Sequence, residues 1–93
     1  MIKGFRDRTT EAVFHGECPK GFPSDLVKVA RRKLGYLDAA IDLRDLRVPP
    51  GNRLEALGGD RKGQYSIRVN DQFRICFRWT PDGPTDVEMA DYH

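Results

Sequence analysis

Apolar positions recur at two different spacings along this chain, and the change of spacing divides it into a helical first part and a stranded second part. From Ser24, a capping residue, the apolar positions Leu26, Ala30, Leu34, Leu37 and Ile41 return every three or four residues, which predicts one helix with a single buried stripe. Lys28, Arg31, Arg32 and Lys33 fall mostly off that stripe and read as its solvated face; Gly35 weakens the helix without ending it. Upstream, "TTEAVFHG" predicts a helix of about two turns with Thr9 or Thr10 as N-cap and Gly16 as its stop. The short alternating "MIKGF" reads as a first strand.

After Leu43 the period changes. "DLRDLRVPPGNRLEAL", with two prolines and a glycine at its centre, predicts a loop that runs into a strand around Leu54 to Leu57. In "QYSIRVN" the side chains of Tyr65, Ile67 and Val69 alternate with Ser66 and Arg68. In "FRICFRW" those of Phe73, Ile75, Phe77 and Trp79 alternate with Arg74, Cys76 and Arg78. "NDQ" and "TPDGPT" supply the turns of a meander that ends in "TDVEMADYH". The elements therefore predict an α+β fold: a small antiparallel sheet with two N-terminal helices packed on one face, and arginines on the other.

Composition narrows the class. With 93 residues and 39% hydrophobic content the chain is expected to be a single domain over 1–93. No apolar run approaches the ~18 to 20 residues of a membrane helix, and "MIKGFRDR" lacks the apolar core of a secretory signal, so the expected location is the cytoplasm, with no membrane partner. Cys18 and Cys76 form no CxxC pair, and no Cys/His cluster has zinc spacing, so reduced thiols and neither metal nor cofactor are expected. The net charge of +2 is too mild by itself to announce a nucleic-acid binder; the placement of the charges matters more.

That placement is uneven. Arg68, Arg74 and Arg78 alternate onto the non-core face of adjacent strands, where they repel one another unless an anion is shared. Arg53, Arg61 and Lys62 lie just before this hairpin, in "NRLEALGGDRKG". The last strand then brings Asp91, Tyr92 and His93 to the same sheet. Strict alternation from Val87 and Met89 sends Asp91 and His93 toward the helices and Tyr92 toward the arginines, unless a bulge re-aims them. His15, within the first helix, reads as structural or merely exposed.

The run "LRDLRVPPGNRLEALGGDRKGQYSIRVNDQFRICFRW" and the ending "VEMADYH" resemble the HigB-type toxins of the RelE superfamily, the host-inhibition or plasmid-maintenance killer proteins, and most of all their GraT-like branch. The similarity runs from "MIKGF" onward, and "PPGNRLEAL", "YSIRVNDQFRICF" and the Asp-Tyr-His ending are its most specific pieces. The resemblance implies a RelE-like fold and a toxin of a type II toxin–antitoxin system. It further implies an mRNA interferase that cuts messages in the A site of the 30S ribosomal subunit. Its partner is then a helix-turn-helix, HigA-like antitoxin, with operator DNA bound only through that antitoxin. Position by position, Asp91, Tyr92 and His93 match the family's catalytic group, and Arg68 and Arg74 its phosphate-facing residues. Glu55 stands where some relatives carry a catalytic histidine, which leaves the proton-transfer assignment open.

Metal-independent RNA scission needs a base for the ribose 2′-hydroxyl, an acid for the leaving 5′-oxygen, and cations for the charge that grows on phosphorus. His93 is the expected acid, and Asp91 or Glu55 the expected base. Tyr92 orients phosphate or stacks on a nucleobase. Arg53, Arg61, Lys62 and Arg78 are the expected RNA-binding residues. Two rival readings keep the fold and drop the chemistry: a ParE-like gyrase inhibitor, and a weakly active relative that chiefly binds its antitoxin.

Overall fold

A computed structural model describes residues 1–92, and its first helix begins two or three residues earlier than a Thr9 or Thr10 cap would place it. In α1 (Arg8–Phe14) the N-cap is Asp7, whose carboxylate accepts the Thr10 N–H at 2.7 Å. Thr10 is instead buried inside the helix, where its hydroxyl oxygen accepts the Met89 N–H at 3.0 Å and ties α1 to the last strand. Gly16, at φ 88°, follows the end of α1 in the left-handed conformation expected of a stop.

Ser24 makes no capping bond; a 3-10 turn, Ser24–Leu26, leads into α2 (Val27–Ala39). Ala30, Leu34 and Leu37 are buried as the periodicity demands. Two positions depart from it. Ala40 is already extended, so Ile41 lies past the helix and is 91% exposed rather than part of the stripe. Lys33 is only 6% exposed, because its stem runs along the buried side of α2 to reach a polar partner. The proline-rich stretch forms two 3-10 turns, Leu43–Arg47 and Pro50–Asn52.

Four strands follow, β1 (Glu55–Ala56), β2 (Tyr65–Arg68), β3 (Phe73–Thr80) and β4 (Gly83–Asp91), in the spatial order β1-β2-β3-β4 with every neighbouring pair antiparallel. Both helices contact β4. Val13, Ala30, Leu34 and Leu37 from the helices meet Ile67, Ile75, Phe77 and Val87 from the sheet in one core of fully buried side chains. Each of these side chains other than that of Ala30 contributes about 1.5–3 kcal/mol relative to exposure. Asn70 closes the first hairpin by accepting the Gln72 and Phe73 N–H groups, and Thr80 closes the second by donating to the Gly83 carbonyl at 2.7 Å. Gly83, at φ 128°, has no room for a Cβ, which would lie 2.5 Å from the Met1 carbonyl oxygen.

The first-strand expectation for "MIKGF" reduces to a single parallel bridge, Phe5 to Val87. Asp7 turns the chain into α1 directly afterwards, so no longer ladder forms. The segment still covers the outer edge of β4: Lys3 N–H donates to the Pro84 carbonyl, Val87 N–H to that of Gly4, and Arg6 N–H to that of Val87. Between Cys76 and Arg78 the β3–β4 register slips, and β4 holds an extra residue there, with Asp86 at φ 52°. Among the described residues no helix is long and apolar enough to cross a membrane.

Candidate active site

Register decides which side chains share the open face of the sheet. Arg68 stands opposite Arg74, Ser66 opposite Cys76, and on the other flank Ala90 faces Arg74 and Glu88 faces Cys76. Two rows therefore cross the sheet side by side, Arg68–Arg74–Ala90 and Ser66–Cys76–Glu88, all on the side away from the helices. The bulge at Asp86 lies well upstream of the strand end, so alternation persists through Met89 and Asp91 as the sequence predicts.

Arg74 is the most constrained cation of this face. Its side chain is 13% exposed; Nε donates to the Ser66 hydroxyl at 2.7 Å, and Nη2 donates to the Arg53 carbonyl at 2.6 Å. Glu55 supplies an opposite charge at 4.0 Å. Among the described residues no hydrogen bond engages Nη1, which leaves one arm of the fork for a ligand. Arg68 pairs with Asp71 of the hairpin turn. The like charges that face each other across β2 and β3 are thus separately balanced by Asp71 and Glu55, and the chain itself meets the need for an anion that the pattern of arginines raised.

Tyr92 lies on this face too. Its N–H donates to the Gln72 carbonyl at 2.6 Å, yet its hydroxyl sits 3.7 Å from the Cys76 sulfur, four positions further along β3. The ring is therefore laid back along the sheet past the Arg74–Ala90 pair, and the small Ala90 side chain leaves it space. Burial raises the Tyr92 phenol above its ordinary value, the Cys76 contact adds to this, and the Arg61 and Arg74 charges pull the other way. Burial likewise raises the Cys76 thiol, opposed by its bond with Tyr92 and by Arg61. Asp91, opposite Phe73, accepts a hydrogen bond from the Gln72 side-chain amide at 3.1 Å.

The six expected catalytic residues separate into a placed set and one that falls outside it. Arg68, Arg74, Glu55 and Tyr92 gather on the open face, and Asp91 sits at the strand end beside Tyr92. His93 lies outside the described residues. Of the expected RNA-binding residues, Arg53 flanks Arg74 through its carbonyl, and Lys62 is exposed. Arg61 is held by Glu88 at 2.7 Å, a bond that raises its already high basicity. Arg78 pairs with Asp86 at 3.6 Å and lies four residues from Arg74 along β3, about 13 Å at strand spacing. The basic face is therefore two patches divided by Cys76 and the Arg61–Glu88 pair. His15 is exposed and meets Phe14 edge-on.

Sequence patterning does not single out Ser66, Glu88 or Asn52, all of which hold the arginines or their neighbours in place. For Ser66 and Glu88 the detectable signal is a small or polar side chain at a position that alternation assigns to the open face; for Asn52, in a turn, there is none. Among the described residues no group of three or more His, Cys, Asp or Glu side chains is arranged to hold a metal ion.

Residues 3–93 match the family model described as the RelE-like toxin of type II toxin–antitoxin system HigB. Toxin HigB-1 of Vibrio cholerae is 45% identical over 94 residues, a match covering 100% of this chain and 98% of that protein. Endoribonuclease HigB of Proteus vulgaris is 29% identical over 93 residues, with both chains covered in full. Among solved structures, the YoeB–YefM complex from Staphylococcus aureus superposes with a TM-score of 0.63 at 18% identity, covering 100% of this chain and 95% of that one, which shows a shared fold. On these grounds the chain belongs to the HigB family of RelE-like toxins of type II toxin–antitoxin systems.

Proposed function

We propose that this toxin is an endoribonuclease that cuts messenger RNA in the ribosomal A site without a metal ion, and that a helix-turn-helix antitoxin restrains it. The observation that carries the reading is the pairing of Arg68 with Arg74 on the face over which Tyr92 is laid. Membership in the HigB family and the name of the Proteus vulgaris relative support it.

The chemistry assigns each group a task. Asp91 takes the proton of the 2′-hydroxyl or orients His93, the freed oxygen attacks phosphorus, and His93 protonates the departing 5′-oxygen. Arg74, anchored by Ser66 and Arg53, offers its remaining nitrogen to the phosphorane oxygens. A donor held in place beforehand costs no reorganisation as charge develops, which is where electrostatic stabilisation gains most. Arg68 adds a second cation across the strand pair, and Glu55 is the counter-charge of Arg74. Tyr92, 42% exposed, presents a ring edge and a phenol to a nucleotide lying across the arginines.

A translating extract with a defined message tests this. The toxin is expected to cut the message during translation, and Arg74→Ala or removal of His93 to abolish the cut. Undiminished cleavage by both variants removes the assigned roles, and growth arrest without any cleaved message removes the nuclease reading.

A further inference from the structure

Lys33 is a buried cation that the proposed chemistry does not use. Its ammonium donates to Asn52 Oδ1 at 2.7 Å and lies 5.7 Å from the centre of the Tyr36 ring. Asn52 is fully buried, and its amide nitrogen donates to the carbonyls of Leu46 and Val48. One side chain thus joins α2, the 3-10 turn Leu43–Arg47 and the segment that enters β1. The next residue is Arg53, whose backbone is left-handed at φ 45° and whose carbonyl receives Arg74 Nη2. A non-glycine residue persists there only when its surroundings hold it.

We propose that Lys33 is a positioning residue which, through Asn52, fixes the turn at Arg53 and thereby aims the Arg74 guanidinium at the phosphate. Without the ammonium, Asn52 Oδ1 is a buried acceptor with no donor, and the amide that clamps two carbonyls loses its third anchor. The Arg53 carbonyl moves with it, and Arg74 keeps only Ser66 as a firm partner. Burial, with lesser repulsion from Arg32 and Arg68, lowers the basicity of Lys33 from its usual value, as for a cation kept partly out of water.

The role rests on the nuclease reading only for its consequence in rate; the aiming itself is observable without any cleavage. The Arg74 Nη2–H group, bonded to the Arg53 carbonyl, is expected to give a resolved, slowly exchanging nitrogen-proton resonance in the wild-type toxin. Lys33→Met is expected to broaden it or speed its exchange while the backbone spectrum of the sheet is retained. If Lys33→Met does not fold, Lys33→Gln serves, since its amide ends one bond short of the ammonium position. In the translating extract the same variant is expected to lower kcat about tenfold or more with KM little changed, as for a misaimed group. That loss should vanish when Lys33→Met is made in an Arg74→Lys background, whose residual cleavage stays measurable, because a residue acting through the guanidinium has nothing left to aim. An unchanged Arg74 resonance in the folded variant overturns the proposal whatever the activity. A changed resonance in Lys33→Met, alongside a wild-type toxin that cuts no message, keeps the positioning role and removes the nuclease reading instead.

Discussion

The Tyr92 hydroxyl lies 3.7 Å from the sulfur of Cys76, so the end of β4 folds its aromatic ring back over the sheet and covers a thiol that is itself fully buried. Cys18, by contrast, is exposed. At neutral pH a thiol-specific reagent should therefore modify Cys18 quickly and Cys76 slowly, and Tyr92→Ala should accelerate Cys76 selectively. Mass mapping of the labelled protein over time reads both rates. Equal labelling of the two cysteines in the native toxin would show that the ring does not cover Cys76.

The same contact makes a prediction about alkaline pH. Burial raises the Cys76 thiol above its usual 9.0, so between the unfolded and folded values the native state holds a proton that the unfolded chain has lost. Stability from this group is intact below about 9 and falls as pH rises through the raised value. Tyr92, raised from 10.0, acts in the same direction at higher pH. Lys33 acts oppositely: its basicity is lowered from 10.5, so rising pH below that value releases the cost of a buried charge. Urea unfolding of Cys76→Ala is expected to lose less stability than wild type between pH 8 and pH 10, a window of about two units around the thiol value. A parallel pH dependence in both proteins would contradict the burial effect.

Arg74→Lys separates charge from geometry. Lysine keeps the cation, but its three N–H groups share one nitrogen and cannot reproduce the fork whose separate Nε and Nη2 reach the Ser66 hydroxyl and the Arg53 carbonyl. Cleavage in the translating extract should fall by about 10²-fold, the cost typical of losing one preorganised donor, with the protein still folded by circular dichroism. Near-wild-type cleavage by Arg74→Lys would mean that a point charge suffices.

The sheet was legible because period-two alternation is a direct image of the pleat. Tyr65, Ile67, Ile75 and Phe77 face the core as their spacing demands, and Arg68 and Arg74 share the other face for the same reason. What escaped prediction depends on contacts between distant segments. The choice of Asp7 over Thr9 or Thr10 as cap follows from Thr10 being needed by Met89, a partner 79 residues away. Lys33, three residues after Ala30 and four before Leu37, projects onto the buried stripe of the helix, but its charge reads as surface because nothing local announces Asn52. The division of the basic face also hides in the pattern: Arg61 looks free until β4 brings Glu88 beside it. Charges can be counted along a chain, but their pairing is a property of register.

Glu88 gives a stability test of that pairing. Its carboxylate accepts Arg61 at 2.7 Å and lies 3.8 Å from Arg6, with its side chain 16% exposed. Glu88→Gln removes the charge and leaves the part-buried Arg61 without an ionic partner. Since Arg61 retains some solvent, the expected loss is about 1–2 kcal/mol, below that of a fully buried pair. Chemical denaturation measures it directly. A variant as stable as wild type would show the pair to be no more than a surface contact.

The modest charge of the molecule sets how its substrate must be delivered. A net +2, with Arg61, Arg68, Arg74 and Arg78 each drawn toward a carboxylate of the same chain, leaves little unbalanced positive field to attract a free polyanion. Few phosphates can then be neutralised at once, so free RNA should bind weakly, with a shallow dependence on salt. On the proposed reading, alignment of the message comes from a surface that already holds it, and a translating ribosome is such a surface. Purified toxin is accordingly expected to cut a bare transcript far more slowly than the same transcript under translation. Adding antitoxin-free toxin to both, with and without ribosomes, checks this. Rapid cleavage of bare RNA at moderate salt would show that the two separated basic patches grip RNA unaided, and the ribosome would not be needed for alignment.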